Sequence, residues 1–508
     1  MNTFQKLFIA IFIIAFLNCG CAEIRSIIFS RLTDETRIES ENTLKKESSE
    51  STDETRIESE NTLKVESSKP TKKALIVSEH ILKGESSKSG PSIAIAPDGI
   101  VWIAGSTEKS EGVEASPSKK NYTEGWLIGI DPKKNKSEQI IYNRCFGGNR
   151  RDTFRSITIG KDGIIWLAGE TSSSGGTGDI PKSKPLLIKS WLLGIDYKKN
   201  KDEQIIYNRC FGGDTFDFFK YVTIGEDGIL WLMGETNSKA GTGDIPISKE
   251  KDEKLWLLGI DTKKSENKQI IYNRCLKGDS KKVCMTIGNN GILWLAGIAD
   301  ISNGIEVSDI FQSKHGGRDI WVLGIDSKKD KSKQIVYGRS FGGESNEQVT
   351  SIALDKDGIL WVLGTTKSEK GSGDIPKSDN LLSEMWLFGI DSSAEEEFIY
   401  NRCFGKSELD FPKAMTIDKD GLIWITGSRS DKITNTIWSI GIAPKKSESE
   451  QIVSDQFLYE KVAEAGQTDE PTSIAIDKNG IVWTTGIFKR SVGNDKFQSE
   501  LWVTGTKP

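Results

Sequence analysis

A seven-residue segment, Gly-[Ile/Leu]-x-Trp-x-x-Gly, recurs seven times in this chain, with its tryptophan at 102, 166, 231, 294, 361, 424 and 483. The intervals run from 59 to 67 residues. Self-similarity at a nearly fixed period is the mark of stacked or radially repeated folds. Each copy follows a short apolar run and a two-residue turn such as Asp162-Gly163, Asp357-Gly358 or Asn479-Gly480. Asp-Gly and Asn-Gly between apolar runs signal a tight hairpin, because both dipeptides reach the positive φ that such a turn needs. A second tryptophan follows about 20 residues later, at 126, 191, 256, 321, 386, 438 and 502, usually inside Trp-Leu-x-Gly-Ile-Asp. The two series use all 14 tryptophans. A further strand, typified by QIIYNRCFGG at 139–148, follows in the first six repeats.

Each repeat therefore supplies four strands, which in the second copy read SITIG (A), GIIWLAGET (B), SWLLGID (C) and QIIYNRCF (D). Their apolar runs are nearly continuous, so both sheet faces must be covered. No helical period is present to supply the cover. A ring of blades does so, each sheet lying between two others. The expected fold class is all-β, a single seven-bladed β-propeller of four-stranded blades. The seventh repeat carries strands A to C without a D, and ALIVSEHILKG at 74–84 aligns without a gap with EQIIYNRCFGG at 138–148. The N-terminal strand is expected to complete the last blade as its outer strand and so remove the open edges of the array.

The pattern Gly-Gly-x-x-x-Asp, strand, Asp-Gly, strand, Gly-x-Thr, spacer, Trp-strand runs from Gly147-Gly148 and Asp152 through Gly169-Glu170-Thr171, and recurs at Gly212 to Thr236 and Gly342 to Thr365. It resembles the bacterial β-propeller repeat proteins of the seven-bladed type. The resemblance spans about 435 residues, with departures in the fourth, sixth and seventh repeats. It implies an architecture and no particular activity, since such folds host many functions.

Ahead of the repeats, Lys6 precedes the apolar run Leu7 to Leu17, and Asn18-Cys19-Gly20-Cys21 follows it. Eleven apolar residues are too few to span a bilayer core, which takes about 20. A basic start, a short apolar run and a small residue are the marks of a signal peptide. With Gly20 directly before Cys21 and Leu17 four positions upstream of the cysteine, the segment resembles a relaxed bacterial lipobox. The resemblance implies a signal peptide over 1–20 and a lipid-modified Cys21, with Cys19 as the alternative acylated residue. More than one acyl chain there would anchor the protein stably. The expected address is the bacterial cell envelope, lipid-anchored.

Residues 21–73 are then a polar tether, rich in Ser, Thr, Glu and Lys and poor in the apolar residues that folding needs. TDETRIESENTLK occurs at 33–45 and again at 52–64, and a diverged third copy follows at the same 19-residue offset, SENTLKVESSK at 59–69 becoming SEHILKGESSK at 78–88. The first two copies read as too polar for core strands, and the third as apolar enough. The propeller domain is placed at 74–508. Cys145, Cys210, Cys275, Cys284 and Cys403 are read as small buried residues without disulfides, because equivalent positions in successive blades do not approach closely enough.

Recurrence also selects the candidate site residues. Arg144, Arg209, Arg274, Arg339 and Arg402 lie in strand D. If the C–D hairpins pair symmetrically about their turns, these face Trp126, Trp191, Trp256, Trp321 and Trp386 as structural cation–π pairs. Asp152, Asp217, Glu347, Asp410 and Asp469 recur at the D-to-A crossings, on one face near the central channel. The long B–C loops share that face and bring Asp179, Asp244 and Asp374 in the loops SGGTGDIP, KAGTGDIP and EKGSGDIP. These eight acids mark the candidate ligand face. Either they attract a cation or each bonds its own turn, the commoner use of such residues.

A single carboxylate per loop is too few oxygens for Ca²⁺. No metal and no cofactor is expected. Two histidines, His80 and His315, give no nucleophile–base pair, so the expectation is a binding module that is not an enzyme. The net charge of −5 gives no reason to expect nucleic acid, which needs a concentrated basic field. The expected function is a membrane-anchored exported lipoprotein whose propeller, a monomer, binds a protein or polymer ligand on the loop face. An envelope-assembly scaffold facing the periplasm is the alternative, and a channel-mouth lyase or hydrolase a third reading.

Overall fold

The computed structural model describes residues 72–83, 90–107, 122–182, 188–247, 253–277, 283–298, 316–330, 332–376, 384–391, 398–404, 410–430, 434–462, 468–491 and 497–507. The signal peptide, Cys21, Cys19 and the tether as far as residue 71 lie outside the described residues, as does His315.

Each Gly-[Ile/Leu]-x-Trp-x-x-Gly run forms strand B of an antiparallel sheet. In the second blade strand A is Asp152–Ile159, B is Ile165–Thr171, C is Lys189–Ile195 and D is Ile205–Phe211, hydrogen-bonded in the order A-B-C-D. The same order builds all seven blades, and the protein is an all-β seven-bladed propeller. Strand A carries a bulge between Phe154 and Ser156, and similar bulges occur in the third, fifth, sixth and seventh blades. The second glycine of the repeat exists because of it. A Cβ on Gly169 would sit 1.9 Å from the carbonyl oxygen of Thr153. The strand-B indole packs on the strand-D tyrosine of its own blade, with Trp102–Tyr142, Trp166–Tyr207 and Trp231–Tyr272 centroids 5.2–5.5 Å apart. The blades share apolar seams, such as the one in which Trp191, Phe146, Phe154 and Ile180 are buried together.

The inner strands meet in cyclic order, and the last, Thr468–Ile476, touches the first, Ser92–Ile95. At that seam the Ile93 amide donates to Ser473 Oγ at 3.3 Å. It repeats the bond from Val222 to Ser156 Oγ (3.1 Å) between the second and third blades. The outer rim closes through the N-terminal strand Leu75–Lys83, which pairs antiparallel with strand C of the seventh blade, Phe497–Lys507. Ile81 faces Trp502 as Cys145 faces Trp126, so the ungapped alignment of the two segments gives the observed register. Lys72 and Lys73 pair in parallel with Gln456 and Phe457 of the sixth blade, so the chain also crosses the seam between the last two blades before it closes the ring.

The expected Trp–Arg pairs are corrected by the register. Trp126 lies opposite Cys145 and Arg144 opposite Leu127, because a bulge at Gly129/Ile130 shifts strand D by one residue. The same shift sets Trp191 against Cys210, Trp256 against Cys275, Trp321 against Ser340 and Trp386 against Cys403. Arg209, Arg274, Arg339 and Arg402 accordingly oppose Leu192, Leu257, Val322 and Leu387. The indole N–H of Trp126 goes instead to Asn143 Oδ1 at 2.7 Å, and Trp191, Trp256 and Trp386 repeat the bond. The guanidinium of Arg144 sits 4.6 Å from the ring of Phe146, two positions on in its own strand, and Arg209, Arg339 and Arg402 do likewise. The cation–π contact is real, but its aromatic partner is phenylalanine.

Candidate functional site

The D-to-A crossings and the B–C loops come together at the seams between blades. Asp152, Asp217 and Glu347 are fully buried at the start of strand A. Asp152 accepts the Gly148 amide (2.7 Å), the Thr171 hydroxyl and the Ser173 hydroxyl (2.8 Å). Asp217 takes the same three partners one blade on, from Gly213, Thr236 and Ser238. Glu347 takes them from Gly343, Thr366 and Ser368. These acids hold the turn that turns the chain from rim to hub. Asp469 is 9% exposed, and the Asp410 side chain lies outside what is described.

The strand-C residue two before the second tryptophan meets this acid across the seam, and its charge differs from seam to seam. Lys189 Nζ lies 3.8 Å from Asp217 Oδ2. Glu124 faces Asp152, whose carboxyl is pushed up to about 6 by burial, against three hydrogen bonds that favour ionisation and with Glu124 adding to the rise. Asp319 does the same for Glu347, raised chiefly by burial.

The B–C loop acids are clasps between blades. Asp179 Oδ2 accepts the Gly147 amide of the preceding blade at 3.1 Å, and Arg144 Nη2 lies 3.6 Å from its Oδ1. Asp244 with Arg209 and Asp374 with Arg339 repeat the pair at 3.5 and 3.4 Å. The loop is held to its own blade through the Asp179 carbonyl, which accepts the Asn208 amide. Gly178 takes φ +55°, and a Cβ there would stand 2.1 Å from the Gly147 carbonyl oxygen. Burial raises the Asp179 pKa, while the Gly147 amide and Arg144 lower it.

Six of the eight acids that recurrence selected as a ligand face are therefore engaged within the protein. Asp152, Asp217 and Glu347 offer no open oxygen, and Asp179, Asp244 and Asp374 are engaged with arginine and a backbone amide. Among the described residues no three His, Cys, Asp or Glu side chains converge as a metal set. His80 lies in the closing strand, with Nε2 2.8 Å from Gln139 Oε1 of the first blade.

The inner strands also carry groups that sequence reasoning passed over. Arg155 makes a two-point fork on Glu170, with both bonds at 3.0 Å, and its guanidinium lies 5.2 Å from the Phe218 ring of the next blade. Lys220 Nζ stands 5.7 Å from the same ring. Lys413 Nζ reaches Glu470 of the seventh blade at 3.6 Å. The Arg155 and Lys413 side chains keep 27% and 32% of their surface. The signal was present: Arg155, Lys220 and Lys413 each stand three residues after a crossing acid, at the strand-A bulge. On the opposite face, a cleft of about 340 Å³ opens between the A–B turns of the fourth and fifth blades, lined by Asn289, Asn290, Trp294, Asp355 and Asp357.

A family model for the two component regulator propeller matches residues 343–366, one blade's strands A and B. No curated protein matches the sequence. Solved structures with a similar chain path include an ulvan lyase from a family of polysaccharide lyases, at 10% identity and TM-score 0.47, covering 85% of this chain and 95% of that one. A protein of unknown function from Dyadobacter fermentans has 8% identity and TM-score 0.37, covering 86% and 98%. Prolyl oligopeptidase B from Galerina marginata has 11% identity and TM-score 0.39, covering 81% of this chain and 46% of that one. The likeness extends to the chain path and carries nothing about this chain's chemistry. The expectation that the chain is not an enzyme is corrected: its ground, a missing histidine pair, does not exclude catalysis, and the structures of similar chain path include polysaccharide lyases.

Proposed function

We propose that this chain, a seven-bladed β-propeller protein, is held at a bacterial cell envelope through an acylated Cys21 and presents its inner-strand face to a protein or polymer ligand. The observation that carries the anchor is the short apolar run Leu7 to Leu17 followed by Gly20-Cys21. The observation that favours this face for the ligand is the partly exposed Arg155 and Phe218 beside the buried Glu170, continued by Lys220 and by the Lys413–Glu470 pair. Guanidinium, carboxylate and an aromatic ring side by side suit a polar chain that offers both charge and a flat apolar face.

Labelling with radioactive palmitate tests the anchor. The label is expected on the wild-type chain and absent from Cys21→Ser. A Cys21→Ser chain that keeps its label, or a wild-type chain that takes none, contradicts it. Crosslinking in intact cells followed by pull-down tests the ligand face. The partner is expected to be lost from an Arg155→Ala/Lys413→Ala variant that still folds, and equal capture by both chains counts against this face. Proteinase treatment of intact cells separates surface display from the periplasmic scaffold: digestion of the propeller while a periplasmic control survives supports display.

A further inference from the structure

The cleft between the A–B turns of the fourth and fifth blades has a counterpart in the ring that the chain itself fills. Between the first and second blades the corresponding space holds Tyr197, which comes from the C–D turn of the second blade. Its ring lies 4.9 Å from that of Trp102, the strand-B indole of the first blade, and packs with Ala96 and Ile159. Its hydroxyl donates to Asp98 Oδ2 at 2.6 Å. In the repeat, Trp102, Asp98 and Ile159 correspond to Trp294, Asn290 and Leu354, all of which line the cleft. The residue that corresponds to Tyr197 is Ser392, which has no ring to place there.

The exchange of Asp98 for Asn290 changes what the space can hold. Asp98 Oδ1 accepts the Ile100 amide at 3.2 Å, and Asn290 Oδ1 accepts the Ile292 amide at 3.0 Å, so both turns keep the same cap. With its oxygen committed to that bond, the other end of the Asn290 amide is an NH2 group. Asn290 therefore offers a donor where Asp98 offers an acceptor. The facing turn adds the exposed Lys356 and Asp357. Asp357 Oδ2 is held by Lys445 at 3.2 Å, and its Oδ1 bonds nothing among the described residues. Asp355 is saturated by the amides of Asp357 and Ile359 and by the Trp361 indole. Two carboxylates are thus matched by two ammonium groups, and the cleft pairs donors with an acceptor without a net charge.

We propose that this cleft binds a neutral sugar ring. Small-molecule sites run from roughly 300 to 1,000 Å³, and a volume of about 340 Å³ suits a single ring. A pyranose has a C–H face to lay on Leu354 and Trp294. Its rim of hydroxyls, each a donor and an acceptor at once, matches Asn290, Lys356 and Asp357. A phenol such as the Tyr197 side chain brings one hydroxyl and leaves most of these groups unmatched, and an anion meets two carboxylates. The site lies on the face opposite the inner-strand set and stands independently of any ligand there.

Saturation-transfer difference NMR on the full chain tests the proposal. The probes are D-glucose, D-galactose, D-mannose and N-acetyl-D-glucosamine, each alone, with p-cresol as the analogue of a tyrosine side chain. At least one sugar is expected to bind with a Kd on the order of millimolar, as so few atoms allow. Asn290→Asp should weaken that sugar by about tenfold, since it turns the donor back into an acceptor. The variant keeps its turn, because Asp98, Asp162, Asp227, Asp357 and Asp420 occupy this position in other blades, and near-ultraviolet circular dichroism checks its fold. Lys356→Ala, at an exposed side chain, is the second variant and should weaken the same sugar by about threefold. No transfer to any of the four sugars, a sugar bound equally by wild type and the folded variants, or p-cresol bound more tightly than every sugar overturns the proposal.

Discussion

Asp152→Asn separates a structural acid from a ligand-binding one. Asp152 is fully buried between the first two blades and faces Glu124. Burial, opposed by bonds from Thr171, Gly148 and Ser173, holds its carboxyl at about 6, whereas in an unfolded chain it titrates near 3.9. The folded protein therefore keeps this proton over a range in which the unfolded chain has released it. Stability from this group is fully present below about pH 4 and is lost as pH rises through about 6. A difference of roughly two pH units amounts to about 3 kcal/mol. Asparagine cannot titrate, and because its NH2 replaces one of the two accepting oxygens, the hydrogen bond it forfeits costs about 1–3 kcal/mol at every pH. The stability of wild type relative to Asp152→Asn should thus fall by about 2 kcal/mol between pH 4 and 7. Urea denaturation followed by tryptophan fluorescence at constant ionic strength measures the two curves. Parallel curves across that range would refute the reasoning, since they would mean that Asp152 titrates alike in the folded and unfolded chain.

Gly178→Ala should lower stability by more than about 2 kcal/mol, because strain at a positive φ adds to a clash with the Gly147 carbonyl. Gly176→Ala, also at positive φ but with only Lys182 Cγ nearby, should cost about 1 kcal/mol; equal effects would deny the close approach. A double-mutant cycle on Arg144→Ala and Asp179→Ala should give a coupling of about 1–2 kcal/mol, since both side chains are largely buried. Additive losses would mean that the clasp holds nothing. Tyr459→Phe forfeits the bonds to Glu79 and Thr504 and should lower the melting temperature by an amount set by about 1 kcal/mol; an unchanged transition would contradict a sealing role at that seam.

The blades and their closure were legible in the sequence because their signals are local and repeated. The Asp-Gly and Asn-Gly turns fix each A–B hairpin, and the alignment of 74–84 on 138–148 placed the closing strand residue for residue. The Trp–Arg pairing was not legible, because a bulge between two aliphatic residues such as Ile140 and Ile141 leaves no mark in a run apolar on either register. Recurrence found the crossing acids but did not say which way they point. The answer lay in their neighbours: Asp152 comes four residues after Gly148 and accepts from Thr171 and Ser173, a fixed set of donors that recurs with Asp217 and Glu347.

The closed ring depends most on its N-terminal strand, and amide hydrogen exchange resolved by segment measures that directly. Residues 75–83 should be protected together with 497–507, their partner strand in the seventh blade. Exchange of 75–83 at the rate of an unstructured chain, while 497–507 stays protected, would contradict it.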